Sequence, residues 1–177
     1  MSDLTKAPEQ ILVDLINTDN GTSLTPALIS FGLPTAATGD NPTRNTELTV
    51  SATQGSGYRG NVVVRYNRVN LADVPQGADT VFTLGDAARL ADLVDEINAR
   101  YNINLTPTDY VDADLPAFAG EANESHDIAL VAGSDSLIFI GQLTITIKGE
   151  DIELGSVITS NELNGLTPPD QAPEATA

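Results

Sequence analysis

One segment of this chain occurs twice. Residues 12–26, LVDLINTDNGTSLTP, match residues 93–107, LVDEINARYNINLTP, at eight of fifteen positions without a gap, at a shift of 81 residues. The same shift aligns Val50 with Val131 and Gly60 with Gly141 beyond this segment. We therefore interpret the chain as a tandem duplication of one unit of about 80 residues.

The two units account for most of the 177 residues. The first unit is assigned to residues 8–80 and the second to residues 84–158; residues 1–7 form a flexible or partner-bound N-terminal arm, and residues 159–177 form a flexible, acidic, Pro-rich tail. This length is within the size of one domain. Because aromatic residues make up only 5% of the chain, we expect the core to consist of Val, Ile, Leu and Ala.

Each unit is predicted to begin with an amphipathic helix. In the first unit Pro8 suits the first helical turn, and Gly21 offers a left-handed C-cap. In the second unit the spacing of apolar residues predicts a helix over residues 87–99. A Thr-Pro pair then predicts a second, short helix in each unit, at residues 26–30 and again from Pro107.

Two strands are predicted to follow in each unit. Alternation of apolar and polar residues places them at residues 46–53, 61–71, 127–132 and 138–149.

The segments between these elements are rich in Gly, Pro, Asn and Thr. Residues 32–45 and 115–125 are predicted to be long surface loops, and a last short strand or turn is expected near residues 152–158. The predicted fold class is α+β: an ααββ unit present twice, with antiparallel hairpins packed on helices. Two such hairpins can meet edge to edge as a four-stranded sheet.

The charge of the chain is strongly negative. It holds 25 acidic and 8 basic residues, a net charge of −17. Because Lys and Arg supply most of the affinity for phosphates, this balance argues against direct binding of nucleic acid. Residues 1–80 hold 8 acids and 5 bases (−3), whereas residues 81–177 hold 17 acids and 3 bases (−14).

This asymmetry has two interpretations. The first unit of one copy can associate head to tail with the second unit of another, or the difference reflects drift of a solvated surface. For the first interpretation we predict that basic residues of the first unit face acidic residues of the second, Glu153 among them. The predicted interaction residues are Arg44, Arg59, Arg65, Arg68, Asp109, Asp112 and Asp114.

No catalytic site, metal site or cofactor is predicted. The absence of Cys excludes disulfides and thiolate ligands. His126 is the only histidine and is interpreted as a surface residue. The acidic segment from Asp109 to Asp114 lacks the Gly and Glu that a calcium loop of the EF-hand type requires, so a solvated acidic loop is the better interpretation. Asp14 and Asp95, at matched positions, suit paired acid–base chemistry, but helix surface is the favoured interpretation.

Two patterns carry a resemblance to a known class of proteins. They are Asn20-Gly21-Thr22 with Leu24-Thr25, and the hairpin with Gly57-Tyr58 and Gly60 that ends in Tyr66-Asn67-Arg68. Over roughly residues 10–160 the chain resembles virion structural proteins of large tailed bacteriophages. The resemblance implies a non-enzymatic component of the particle, with no catalytic residues to transfer.

The charge favours one position in such a particle. An acidic protein suits the outside of a genome-filled head, where like charge does not repel it. The first hypothesis is a capsid decoration or cementing protein, made in the host cytoplasm, whose partners are the major capsid protein or other virion proteins and copies of itself. Nucleic acid and membranes are not expected as partners, since no apolar run is long enough to span a bilayer.

Three alternatives stay open. The chain suits a ring component of the neck, tail or baseplate, for which a duplicated unit changes the apparent symmetry. A glycan- or receptor-binding fibre or adhesin module is a different class, and the scarcity of aromatic residues in the two long loops, with only Phe118, counts against it. An enzyme is the fourth interpretation.

Overall fold

The computed structural model describes residues 3–38, 43–119, 124–149, 158 and 160. Within these ranges the fold is α+β, with two α-helices, α1 (Pro8–Asn20) and α2 (Leu90–Tyr101), one at the start of each unit. The strands are β1 (Ile29–Phe31), β2 (Thr35–Ala36), β3 (Thr46–Ala52), β4 (Asn61–Tyr66), β5 (Val69–Asn70), β6 (Val81–Thr83), β7 (Ser125–Val131), β8 (Phe139–Ile140) and β9 (Gln142–Lys148).

These strands form three sheets. In the first unit, β3 pairs antiparallel with β1 and β2 on one edge and with β4 on the other. In the second unit, β9 is the central strand, antiparallel to β7 and parallel to β6. A short parallel pair, β5 with β8, joins the two units. Whether the two hairpins share one sheet was left open by the sequence; among the described residues each hairpin belongs to its own sheet.

The two hairpins pair in the same register. Thr46–Ser51 lie opposite Tyr66–Asn61 in the first unit, and His126–Val131 lie opposite Ile147–Gln142 in the second. The shift between corresponding residues is 80 for the first strand of the hairpin and 81 for the second. The two units therefore share their strand pairing as well as part of their sequence.

Both helices end in a left-handed residue. Gly21 follows α1 with φ 63° and donates its backbone N–H to the carbonyl of Asn17. Asn102 follows α2 with φ 53° and donates its backbone N–H to the carbonyl of Asn98. Gly and Asn are the residues that adopt this conformation most readily. The predicted C-cap at Gly21 is confirmed.

The side chains of Asn17 and Asn98 fasten the segment that follows each helix. Asn17 Oδ1 accepts the N–H of Leu24 at 2.7 Å, and its Nδ2 donates to the carbonyl of Leu24 at 2.8 Å. Asn98 makes the same two bonds to Leu105, at 2.7 and 3.1 Å. We call this arrangement the amide clamp. Two identical positions of the repeated segment therefore perform the same structural task in both units.

The predicted second helix of each unit is wrong. After Thr25-Pro26 the chain makes a single turn, closed by a bond from Leu28 N–H to the carbonyl of Thr25, and then enters β1. After Thr106 a corresponding turn, closed by Asp109 N–H, leads to a bridge between Tyr110 and Ala132. The backbone pairs with the hairpin at once in both places, and this long-range pairing overrides the helix-start signal of Thr-Pro.

Three predicted boundaries also change. Helix α2 begins at Leu90 rather than at residue 87, because the carboxylate of Asp92 accepts the N–H groups of Ala88 and Arg89, both at 2.9 Å. The strand predicted at residues 61–71 divides into β4 and β5. The strand predicted at residues 138–149 divides into β8 and β9 at Gly141, whose φ is 74°.

The core is built mainly from the second unit. Its largest fully buried side chains include Phe82, Phe139 and Leu48, and the rest are mostly Leu, Ile and Val. A smaller cluster of Val13, Ile29 and Val50 lies under the first hairpin. Burial of these aliphatic side chains supplies the main stabilisation.

The ends of the chain are described in part. From the predicted N-terminal arm, Leu4 packs against the main core and Lys6 Nζ lies 2.8 Å from the carboxylate of Asp14. The predicted strand or turn near residues 152–158 and the predicted tail lie outside the described residues, apart from Ile158 and Ser160. Neither helix in the described ranges is long and apolar enough to cross a bilayer.

Candidate interaction surface

Strand β4 is the outer strand of its sheet. Among the described residues it pairs only with β3, so its other edge presents backbone N–H and C=O groups without a strand partner. Its side chains Val62 and Val63 are 58% and 57% exposed. An apolar, unpaired strand edge is a template for adding another strand.

An open groove lies between α1 and this strand. It encloses about 520 Å³ and continues the outer edge of β4. Its lining combines apolar side chains with charged and amide side chains. The lining residues are Leu12, Leu15, Ile16, Asp19, Asn20, Arg44, Val64, Arg65, Tyr66 and Asn67. We call it the α1–β4 groove.

A second groove continues from the first. It encloses about 410 Å³ beside the start of the hairpin and shares Ile16, Asn20 and Val64 with the α1–β4 groove. Tyr58, 57% exposed, and Arg59 line it. The two grooves therefore form one continuous, largely apolar surface along the first hairpin.

The second unit holds a strand at the corresponding place. Strand β6 runs along β9, and its Phe82 is 1% exposed. The ring of Phe82 meets that of Tyr101 edge to face at 6.1 Å, and the guanidinium of Arg100 lies 3.8 Å from the ring centroid. Arg100 also donates to the carbonyl of Val81, and Tyr101 Oη donates to the carbonyl of Asp79 at 3.1 Å.

The residues around Phe82 correspond to those that line the α1–β4 groove. At the shift of 81 residues, Arg100 corresponds to Asp19 and Tyr101 to Asn20. Ile147, the strand partner of Phe82, corresponds to Tyr66. The α1–β4 groove is therefore the first unit's version of the position that β6 occupies in the second unit.

Three of the predicted arginines lie on this surface. Arg65 and Arg44 line the α1–β4 groove, and Arg59 lines the adjoining one. Arg65 is 59% exposed and forms an ion pair with Glu47 at 2.7 Å, and the hydrogen bond from Arg65 holds the pKa of the Glu47 carboxyl below its usual value. The surface thus combines exposed apolar groups with cationic side chains.

Arg68, the fourth predicted arginine, has a different role. Its Nε donates to Thr46 Oγ1 at 3.0 Å, and its Nη1 donates to the carbonyl of Ser136 in the second unit at 2.9 Å. Partial burial lowers the pKa of Arg68. Beside it, Tyr66 Oη donates to the carbonyl of Leu137 at 2.7 Å, and burial raises the pKa of Tyr66 to about 12. Within the chain Arg68 therefore binds a hydroxyl of the first unit and a carbonyl of the second, and its predicted contact with an acidic residue of another copy stays a prediction.

Asp109 is likewise interior. It is 0% exposed, its Oδ1 accepts from Ser136 Oγ at 2.6 Å, and its Oδ2 accepts from the Thr106 hydroxyl at 2.6 Å and N–H at 2.9 Å. Adjacent packing is tight, since a Cβ on Gly133 would lie 2.3 Å from the carbonyl oxygen of Thr108. The prediction of a solvated, partner-facing Asp109 is wrong, because its hydrogen bonds close a turn inside the second unit.

Asp112 and Asp114 lie on the surface and bind the same arginine. Arg89 Nε lies 2.7 Å from Asp112 Oδ2, and its Nη1 lies 2.5 Å from Asp114 Oδ1. The hydrogen bond from Arg89 lowers the pKa of Asp112. Their predicted contact with basic residues of another copy stays a prediction.

The residues considered for acid–base chemistry lie apart from these grooves. His126 Nε2 is 3.0 Å from Glu124 Oε1, and its ring meets Phe118 edge to face at 4.8 Å. Asp14 accepts from Lys6 and Gln10 at 2.8 and 2.7 Å. In the described part of the chain, no three acidic or histidine side chains are grouped so that they could hold a metal ion.

Sequence reasoning missed β6 and the surface it explains. The short run Val81-Phe82-Thr83 has the β-branched and aromatic residues of a strand, but it is brief and lies in the linker between the units. The run stands just before α2, and no similar run stands just before α1. This difference between the units was the sequence signal for β6.

Comparison with known proteins identifies a family whose function is unknown. The model of a family of unknown function, DUF7941, matches residues 1–176, and the chain belongs to this family. No curated protein matches the chain. No solved structure matches it either.

Proposed function

We propose that the chain is a tandem duplication of one helix–turn–strand–hairpin unit. Three observations support this: the equal register of the hairpins, the amide clamp in both units and the left-handed residue after each helix. Unrelated segments would have to acquire all three at nearly constant spacing. The unit differs from the predicted ααββ formula, since a turn and a short extended segment replace its second helix.

We further propose that the protein is a non-enzymatic structural component that works by assembly. The observation that carries this is the exposed edge of β4 with the α1–β4 groove, at the place where the second unit is covered by β6. Exposed apolar surface next to unpaired backbone favours a protein partner. A surface of this kind is suited to a subunit of a larger particle.

The particle we propose is the virion of a tailed bacteriophage, with this protein as a decoration or cementing protein on the outer head surface. The resemblance of the repeated segment and the hairpin to phage virion proteins supports the class of particle. The net charge of −17 supports the outer surface, because a protein lining the genome would be repelled by it. The proposed partners are the major capsid protein or other virion proteins, and further copies of this chain.

A ring component of the neck, tail or baseplate is the second candidate. It is favoured by the difference between the two units, since a contact between unlike surfaces generates rings when the rotation closes. The two candidates differ in the number of copies that a particle contains.

Quantitative peptide mass spectrometry of purified particles tests these proposals. The expected result is a ratio near one chain for each major capsid subunit, or one for each local three-fold position. A copy number that corresponds to a single ring would overturn head decoration in favour of the second candidate. Absence from particles would overturn both.

A further inference from the structure

We propose that the α1–β4 groove receives residues 157–159 of a second copy of this chain, added as a strand parallel to β4 with Ile158 in the groove. The inference rests on the proposed equivalence of the two units and is independent of the placement in a phage particle. It names the partner of the exposed edge and the segment that binds there.

The first argument is the origin of β6. This strand follows the hairpin of the first unit in the chain and completes the sheet of the second unit. Strand β5, which also follows that hairpin, pairs in parallel with β8. One unit is thus completed by the segment that follows another unit's hairpin. The segment that follows the hairpin of the second unit is the equivalent donor, and a first unit is its acceptor.

The second argument is the sequence of that donor. Val157-Ile158-Thr159 resembles Val81-Phe82-Thr83, with β-branched residues around one large apolar residue. Ile158 is 55% exposed. Burial of such an exposed, large apolar side chain against the apolar residues of the groove is favourable.

The third argument concerns which copy supplies the segment. Among the described residues, those that line the α1–β4 groove lie between positions 12 and 67, and Ile158 is not one of them. The groove of a chain is therefore not covered by its own Ile158 in this structure. A second copy offers the same segment, and repetition of that contact produces a head-to-tail assembly.

The equivalence also fixes the register. Val81, Phe82 and Thr83 pair with Thr146, Ile147 and Lys148. At the shift of 81 residues for the receiving strand, Val157 lies opposite Arg65, Ile158 opposite Tyr66 and Thr159 opposite Asn67.

Charge complementarity supports this direction. In a parallel arrangement, the residues before Val157 lie toward the start of β4, where Arg59 is located. Residues 149–156 include Glu150, Asp151 and Glu153 and no Lys or Arg. Acidic groups of the donor therefore approach the cationic side of the acceptor, and added salt should weaken the contact.

Disulfide trapping tests the proposal. Because the chain has no native Cys, only the introduced cysteines can form disulfides. One chain carries Arg65→Cys and a second, longer tagged chain carries Val157→Cys. Neighbouring residues on adjacent strands lie within the distance that a disulfide bridges. The expected result is a mixed disulfide between the two chains under mild oxidation, lost when Ile158→Asp is added to the tagged chain. Leu166→Asp, outside the proposed strand and away from the position that the 81-residue shift gives for Phe82, should leave the mixed disulfide unchanged.

A matched pair controls the chemistry. Val81→Cys with Thr146→Cys occupies the equivalent positions within the second unit and should form a disulfide within one chain. If this control disulfide forms and the mixed disulfide does not, the proposal is overturned. The proposed role as a head decoration protein is tested separately, by the copy number in particles. A chain with both Arg65→Cys and Val157→Cys that closes only within itself would make its own segment the occupant. That result too would overturn the second copy.

Discussion

Strands β4 and β9 occupy the same position in hairpins of the same register, yet their surroundings differ. In β9, the side chains of Leu143, Ile145 and Ile147 are all buried, and β6 covers the outer edge. In β4, Val62 is 58% exposed at the position of Leu143. Identical pairing within a hairpin thus leaves open whether its outer strand is interior or surface. Contacts with other segments decide this, among them β6, which pairs with residues 146–148 at the end of β9.

The helices show the same divergence at the rim of the groove. Arg100 and Tyr101 hold Phe82 and the backbone of β6 in the second unit, whereas Asp19 and Asn20 stand at the corresponding positions in the first. A donor bound to the first unit therefore meets an acidic group on α1 and cationic groups at Arg65 and Arg44. The two units share one architecture and differ in the chemistry at this position.

The largest expected effect comes from removing the side chain that covers the second unit. Phe82→Ala should lower the free energy of unfolding by about 4 kcal/mol, because a fully buried aromatic ring is lost and a cavity is left. Urea denaturation followed by circular dichroism measures this. The control Val63→Ala, at a side chain 57% exposed, should change stability by about 0.5 kcal/mol or less. Equal effects of the two variants would contradict the assigned difference between β9 and β4.

The next effect concerns a position at which the units differ chemically. Asp109→Ala should cost about 3 kcal/mol, because the Ser136 and Thr106 groups that bind the Asp109 side chain lose their acceptor in the interior. The first unit has Leu28 at the corresponding position. Asp135→Ala, on an exposed residue, is the matched control and should be near neutral. The same urea experiment applies, and a cost below about 1 kcal/mol would show that the cluster is dispensable.

The amide clamp allows a comparison at identical residues. Asn98→Ala should cost about 2 kcal/mol, since the backbone N–H and the carbonyl of the buried Leu105 each lose a hydrogen bond. Asn17→Ala should cost about 1 kcal/mol, because Leu24 is only partly buried and water can replace the lost bonds. The difference in denaturation midpoint between the two variants is the measurement. A larger loss for Asn17→Ala would reverse the assignment of the more buried unit.

The smallest effect is an acid dependence of the second unit. Backbone hydrogen bonds from Arg89 and Ala88 lower the pKa of Asp92, and the hydrogen bond from Arg89 lowers that of Asp112. A carboxyl whose pKa is lower in the folded state stabilises the fold above its ordinary pKa of 3.8, and this contribution is lost as pH falls through the folded value.

The variants Asp92→Asn and Asp112→Asn should therefore be less stable than the wild type at neutral pH and approach it in acid. Urea midpoints measured from neutral pH to below 3.8 give the comparison. The first unit has Ile11 and Phe31 at these positions, so it has no such dependence there. Asp19→Asn serves as the control on α1. A constant difference in urea midpoint between the variants and the wild type, down to the lowest pH, would contradict the assigned hydrogen bonds.

Local patterns predicted much of the fold. The helix that starts at Pro8, its left-handed cap at Gly21 and the two hairpins follow from sequence spacing. These features depend on neighbouring residues, which a sequence shows directly. The α+β class follows from them.

The remaining features depend on contacts between distant segments. The turns after Thr25 and Thr106 carry helix-start signals, but pairing with β3 and with Ala132 draws the chain into extended structure. The sequence predicts a surface position for Asp109, because nothing near it in sequence indicates Ser136 as its partner. The parallel pairs of β5 and β6 join the end of the first unit and the linker to the second unit, and no local pattern encodes such a pairing.

The predicted interaction role of the arginines stays a prediction, but their positions can be compared with the structure. Arg44, Arg59 and Arg65 were identified as interaction residues from their charge and position, and the structure gathers them around two adjoining grooves. The grooves themselves were not predicted. They result from the absence of a covering strand among the described residues of the first unit, which becomes visible only when β6 is seen on the second.

Hydrogen–deuterium exchange of peptides that contain β4 and β9 tests the central claim most directly, because it reads the two outer strands in one molecule. The account predicts that β9 is protected at every protein concentration. It predicts that β4 exchanges quickly in dilute protein and becomes protected as concentration rises, and that Ile158→Asp abolishes this change. Protection of β4 equal to that of β9 in dilute protein, or rapid exchange at all concentrations, would contradict it.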